Sequence, residues 1–179
     1  MSNKVSNSKI KIDDEQHAKR LPYRAGVGLM ILNPKLEVFV GRRIDSKLEA
    51  WQMPQGGIDD GEDITDAVLR EMKEEIGTNN ANIIADTKQW YQYDLPLHLI
   101  SKLWNGRYRG QRQKWFLLQY LGKDEDIDIN YDHAEFSDWK WAKIEELPNI
   151  IVPFKRNLYI SVIEEFRDII LSLKHAMKN

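Results

Sequence analysis

The chain contains no cysteine. Disulfides, thiolate nucleophiles and cysteine-ligated zinc or iron–sulfur centres are therefore excluded. Long apolar runs are missing as well: no segment approaches the ~18–20 apolar residues that span a bilayer. The N-terminal "MSNKVSNSKIKIDDEQHAKR" has no apolar centre of the kind that marks a secretory signal. The expectation is a soluble, cytoplasmic protein with no membrane partner. Charge of one sign is not in excess either, since 26 Lys and Arg stand against 28 Asp and Glu, for a formal net charge of −2. With no global field to attract nucleic acid, any polyanion must be held by a local basic patch or by bound cations.

What remains is a chain of 179 residues, 42% hydrophobic, which fits one domain with a sizeable core. Residues 1–20 lack a hydrophobic period and are expected to form a flexible arm, with a single domain over 21–179. "AGVGLMIL" and "EVFVGRR" read as two strands around an Asn33-Pro34 turn. "WQMPQGGIDDGE" reads as a loop. Residues 63–76 give the clearest helix, with Ile64, Val68, Met72 and Ile76 four apart, Leu69 beside them and Gly77 as the stop. "NIIAD" is a weak strand, "KWFLLQYLG" a strong buried one, and "SDWKWAK" alternates Trp139 and Trp141 with polar partners. The closing "PFKRNLYISVIEEFRDIILSLKHAMK" is an amphipathic helix. Trp115 and most of the six tryptophans are assigned to the core. This order of elements predicts an α/β sandwich.

The predicted helix holds an electrostatic problem. In "REMKEEIG", Glu71, Glu74 and Glu75 stand at i, i+3 and i+4 and share one face. That wedge borders the apolar stripe instead of lying opposite it, so the carboxylates are partly desolvated. A like-charge pair ~4 Å apart then costs about 4 kcal/mol at an effective dielectric of ~20. Arg70 neutralises only part of this. A hard divalent cation resolves it better, because Mg²⁺ or Mn²⁺ prefers carboxylate oxygens and keeps water ligands that a phosphate can replace.

Gly56, five residues, Glu62, seven residues, Arg70-Glu71, Met72, one residue, Glu74-Glu75, one residue, Gly77: this spacing resembles the signature of the Nudix family. The one departure is Thr78, where the family usually has an aliphatic residue, and it touches no ligand. The resemblance implies an α/β/α sandwich with a mixed sheet and a loop–helix–loop motif, hydrolysing a nucleoside diphosphate linked to a further group. It implies Glu74 and Glu75 as metal ligands, Glu71 as ligand or general base, Glu62 and Arg70 as braces of the loop, and the Gly56 carbonyl as a further ligand. The cofactor implied is Mg²⁺, with Mn²⁺ or another divalent cation able to substitute.

Within the Nudix group the chain is most similar to bacterial RNA 5′ pyrophosphohydrolases and dinucleoside polyphosphate hydrolases. The similarity rests on "YRAGVG", "WQMPQGGID", "GQRQKWFLLQ", "AEF" and "VPFKR". It implies removal of pyrophosphate from 5′-triphosphorylated RNA to leave a 5′-monophosphate. The alternative is cleavage of dinucleoside polyphosphates such as diadenosine tetraphosphate, and a more distant one is an inert nucleotide- or RNA-binding module. The module reading conflicts with the intact carboxylate set, and isomerisation of a diphosphate ester normally needs a cysteine.

The same resemblance makes Glu135 a further metal ligand, against the plain alternative of a surface residue in "DHAEFSD". His133, nearby, reads as a bystander. Of the basic residues Arg24, Arg42, Arg43, Arg112, Lys114 and Lys155, strand alternation lets only one of Arg42 and Arg43 face a site. The family pattern favours Arg43, with Arg24 and Lys155 as further substrate contacts. Val152 and Phe154 resemble a pair that stacks on a base, though packing at the start of the last helix explains them equally well. Tyr93 matches a family position near the substrate. Protein partners are not readable from the sequence.

Overall fold

Tyr23–Leu32 is apolar on both of its faces, as a strand covered from two sides must be. In a computed structural model, which describes residues 14–179, this segment is the central strand β1. Val27, Leu29 and Ile31 point to one helical layer, while Met30 and Leu32 point to the other. Asn33 turns the chain by accepting the Lys35 and Glu37 N–H groups on its side-chain oxygen at 2.9 Å each. β2 (Val38–Arg43) follows. Two short strands come next, β3 (Trp51–Gln52) and β4 (Gln55–Gly57).

A helical segment at residues 14–20, α1, precedes β1. Helix α2 spans Ile64–Ile76 and β5 and β6 span Ala81–Asp86 and Tyr91–Asp94. After the short α3 (Leu97–Ile100), β7 (Gly110–Tyr120) runs parallel to β1 in unbroken register from Tyr23 opposite Gly110 to Leu32 opposite Gln119. β8 (Phe136–Ala142), α4 (Leu147–Ile150) and α5 (Arg156–Ala176) complete the chain. The sheet order is β3-β2-β1-β7-β5, with β4 on β1, β6 on β7 and β8 on β2. Every pairing except β1 with β7 is antiparallel, so the sheet is mixed.

Two apolar layers hold this sheet. Ala67, Val68, Met72 and Ile76 of α2 pack on Val27, Leu29, Ile31, Phe39 and Phe116. Leu158, Val162, Phe166 and Ile170 of α5 pack on Met30, Val38, Val40, Trp115 and Leu117. Each such side chain, fully buried, contributes about 1.5–3 kcal/mol. Trp115 lies edge-on to Tyr159 at 5.7 Å, and the Tyr159 hydroxyl accepts the Met53 N–H at 2.8 Å, anchoring the segment that leads into β4. The result is the expected α/β/α sandwich.

Three expectations need correction. The arm assigned to residues 1–20 lies over 1–13 outside the described residues, but 14–20 are helical. There Ala18 is buried and Arg109 Nη1 donates to the Lys19 carbonyl at 3.2 Å; one inward residue is too few to give a period. The loop over Trp51–Glu62 contains β3, paired with β2, and β4, paired with β1, where Gly26 leaves room for the Gly56 carbonyl that a side chain would strike. Of the six tryptophans only Trp115 is fully buried; the others cover the sheet edges and loops with part of the indole in solvent.

Candidate active site

The acidic helix is capped at both ends. The Asp63 carboxylate accepts the Thr65 and Asp66 N–H groups, and Gly77 ends α2 at a left-handed φ of 79°. Between the caps, Arg70 uses its guanidinium as a hub. Nε and Nη2 clasp Glu62 at 2.7 and 2.9 Å, Nη2 also donates to the Gly57 carbonyl at 2.9 Å, and Nη1 reaches Glu71 at 2.9 Å and Glu74 at 3.3 Å. One side chain thus ties the loop after β4 to the helix. Glu62 is drawn down to about 2 by Arg70 and by the Asp59 N–H, so it stays ionised throughout the neutral range.

Arg70 does not reach Glu75. That carboxylate is 4% exposed; Oε2 accepts the Gln55 N–H at 3.2 Å, and Oε1 has no partner. Burial raises its pKa well above the ordinary carboxylate value, and the nearby charges of Glu135 and Glu71 add to the effect. Burial also lifts Glu71 to about 7, against the opposing pull of Arg70. Glu135, just before β8, lies near Glu75, and its Oε2 is 3.8 Å from Arg43 Nη1. At Gly56 the space a Cβ would take is filled by the Glu71 carboxyl group, so the bare glycine backbone lets that carboxyl lie directly against β4.

This set fits a hard divalent cation. Two carboxyls pushed up by burial and mutual repulsion, Glu71 and Glu75, the latter with an orphaned buried oxygen, together with the more exposed Glu74 and Glu135, form an all-oxygen donor group that lacks only positive charge. Among the described residues no three acidic or histidine side chains already stand at chelating spacing. Arg70 Nη1 draws Glu71 and Glu74 toward itself, and those two side chains must turn from it to share an ion.

A cationic and aromatic wall adjoins the acids. Lys155 is 5% exposed; Nζ donates to Gln55 Oε1 at 3.2 Å and lies 5.0 Å from the Tyr93 ring centre. Burial, with Arg43 adding to it, pulls its pKa down to about 7. Phe154 packs on Tyr93 at 5.8 Å, and Val152 and Phe154 remain only partly buried. Arg24 stacks on Trp104 at 5.4 Å and occupies the space above Gly57. Arg43 is gripped by both Asp45 oxygens at 2.7 Å. Of the other basic residues, Arg112 lies over Trp90 and Lys114 pairs with Asp86 on the opposite face of β7, outside this site. His133 is exposed.

Sequence reasoning missed the polar residues that hold this wall. Gln111 and Gln113 are 1% and 0% exposed; Gln111 Oε1 accepts from Tyr93 at 2.9 Å, Gln113 at 2.7 Å and Gln55 at 3.2 Å, and Gln113 Nε2 also reaches Gln55 Oε1 at 3.0 Å. A signal was present: alternate glutamines at the start of an otherwise buried strand point one polar face inward. Asp45 had no comparable signal.

The NUDIX domain family matches residues 22–162. An RNA pyrophosphohydrolase from Rickettsia conorii is 57% identical over 150 residues, covering 84% of this chain and 93% of the relative, and one from Rickettsia typhi is 55% identical over the same shares. In fold, the chain is similar to the E. coli dihydroneopterin triphosphate pyrophosphohydrolase (TM-score 0.61, 20% identity, 77% of this chain and 94% of that one). A C. elegans Ap4A hydrolase is also similar in fold (TM-score 0.53, 21% identity, 76% and 94%). With the glycine, the bracing arginine and the glutamates of the signature in place on the loop and helix, the chain belongs to the Nudix family.

Proposed function

We propose that this protein hydrolyses the 5′-triphosphate end of RNA, releasing pyrophosphate and leaving a 5′-monophosphate. The observation that carries the reading is the identity of 57% to relatives named RNA pyrophosphohydrolase over 93% of their length. The wall of Lys155, Tyr93, Phe154 and Arg43 beside the acids supports it, since a triphosphate and a base need cations and an aromatic face together. No described helix is long and apolar enough to cross a membrane. We place the reaction in the cytoplasm.

Nudix hydrolases use divalent cations, and Mg²⁺ is the ion we assign here, with Mn²⁺ able to replace it; Glu71, Glu74, Glu75, Glu135 and the Gly56 carbonyl would hold it. When bound, it neutralises charge on the phosphate oxygens and lowers the pKa of water. The residues of the chain do the rest. Arg70 and Glu62 fix the loop against the helix so that the Gly56 backbone and the acids keep their spacing. Glu71 would either join the ligands or accept the proton from attacking water, a role for which its partly buried carboxyl beside Arg70 is placed. The water oxygen bonds to phosphorus as the bridging P–O bond breaks, and the departing pyrophosphate takes the electron pair of that bond. Arg24, Arg43 and Lys155 contact the anionic chain, and Phe154 with Val152 receives the base.

The test is a competition in Mg²⁺ between a short 5′-triphosphorylated RNA and diadenosine tetraphosphate, scored by kcat/KM. A higher value for RNA, with a monophosphate end as product, is expected. Preference for the dinucleotide would replace the reading with dinucleoside polyphosphate hydrolysis by the same carboxylates.

A further inference from the structure

Trp51 is approached by two cations. Lys140 Nζ lies 4.6 Å from its ring centre, and the Arg42 guanidinium carbon lies 5.8 Å away. The three residues come from adjacent strands: Arg42 of β2 pairs with Trp51 of β3, and Val40, two residues earlier on the same face, pairs with Lys140 of β8. Val40 faces α5, so this group lies on the same side of the sheet as Lys155 and Phe154.

These cations are not used by neighbouring acids. Among the described residues neither forms an ion pair. Asp138, opposite Arg42, turns its carboxylate to the Trp139 N–H at 2.8 Å, and Arg42 Nε donates to Ser137 Oγ at 3.3 Å. Lys140 is exposed and Arg42 half-buried. Two like charges held near one indole repel each other, and an anion between them relieves that repulsion.

The group is linked to the site through β2: Arg42 directly precedes Arg43, which leaves the opposite face of the strand and reaches toward Glu135, while Trp51 belongs to the α5-side core that also includes Val152 and Phe154. A strand of RNA leaving the base-binding face has this rim as a neighbouring surface.

We propose that Arg42 and Lys140, positioned by Trp51, form a second phosphate-binding site that takes a phosphodiester downstream of the second nucleotide in an RNA whose 5′ end occupies the carboxylate site. The proposal rests on the RNA reading above. Arg and Lys offer donors only, which suits an anionic oxygen, and a contact made to phosphate carries no sequence information.

The experiment compares kcat/KM for a 5′-triphosphorylated dinucleotide and octanucleotide across a salt series, using the wild type, the Arg42→Gln/Lys140→Gln double variant and Lys140→Arg. For single strands each phosphate contact adds about 0.7 to the log–log salt slope, so the wild-type slope should be steeper by about 0.7 for the octanucleotide than for the dinucleotide, one phosphate being held by the second site. The double variant should erase that difference and lose roughly tenfold in kcat/KM on the octanucleotide at low salt, with the dinucleotide within about twofold and Lys140→Arg near wild type. Equal wild-type slopes for the two RNAs overturn the second site without needing a variant, as does a folded double variant that matches wild type on the octanucleotide. Failure of the wild type to release pyrophosphate from either RNA is a different result, and it removes the RNA reading itself together with this site.

Discussion

Arg70 and Glu62 form a two-point clasp across eight residues, Nε to Oε1 at 2.7 Å and Nη2 to Oε2 at 2.9 Å. The geometry is particular to a planar guanidinium, and a lysine ammonium cannot reproduce it. Because Arg70 also holds the Gly57 carbonyl, the clasp sets where Gly56 lies against Glu71. Arg70→Lys should therefore lower kcat by about 10- to 100-fold, as loss of a group that orients metal ligands does. The helix caps and core are untouched, so the circular dichroism spectrum should not change. A variant with wild-type kcat would show that the clasp is ornamental.

Glu74→Gln and Glu75→Gln separate catalysis from folding. Each removes a charge from a crowded acidic face, so the thermal midpoint in EDTA should stay level or rise, more for the buried Glu75 than for the more exposed Glu74. Turnover in Mg²⁺ should fall by about 10²–10³-fold or more, the scale of losing a preorganised electrostatic contact. Full activity in either variant would dismiss the proposed metal site.

The layout of the molecule was legible in the sequence wherever period and punctuation agreed. The α2 stripe of Val68, Met72 and Ile76, the Gly77 stop, and the apolar runs of β1 and β7 all fold as read, with Asp63 serving as the N-cap and not as the first helical residue. The pieces that escaped are those whose structure comes from distant partners. β3 and β4 are two and three residues long and exist because β2 and β1 lie beside them. β6 carries no apolar run and is held by β7. In the site, the glutamates were visible from their spacing, whereas Gln55, Gln111 and Gln113 meet only through pairing of β1, β4 and β7, and the Arg43–Asp45 bridge depends on a loop conformation.

The same acids predict how stability should follow pH without metal. Burial raises Glu71 to about 7 and Glu75 well above the ordinary 4.5. From about 4.5 to 7 the folded chain then binds protons that the unfolded chain has released, so raising the pH through this window removes stability. In EDTA the thermal midpoint should fall from pH 5 to pH 7.5, and Glu75→Gln should flatten that fall. Mg²⁺, which binds the ionised form, should raise the midpoint strongly at pH 7.5 and little at pH 5. An Mg²⁺ shift as large at pH 5 as at pH 7.5 would contradict the assignment.

Gln111 is the acceptor on which the substrate wall depends. Gln111→Leu leaves the Tyr93 hydroxyl and two glutamine amides short of a partner inside the protein, and an unsatisfied buried group costs about 1–3 kcal/mol. Chemical denaturation should report a loss of that order. Gln111→Glu keeps the acceptor and should recover part of the binding that the leucine variant loses, measured as KM. If the leucine variant is as stable as wild type, the network is satisfied some other way.

Phe154 decides between base contact and packing. It is partly buried against Tyr93, whose ring also carries the Lys155 ammonium. If it stacks on a base, Phe154→Ala removes about 1–3 kcal/mol of binding, a rise in KM for triphosphorylated RNA of roughly 5- to 150-fold with kcat changed far less. Phe154→Tyr keeps the aromatic face and should restore KM. Packing alone predicts the opposite division, a lower thermal midpoint with KM unchanged. Measuring both on one preparation tells the two apart, because substrate binding and unfolding report on different faces of the same ring.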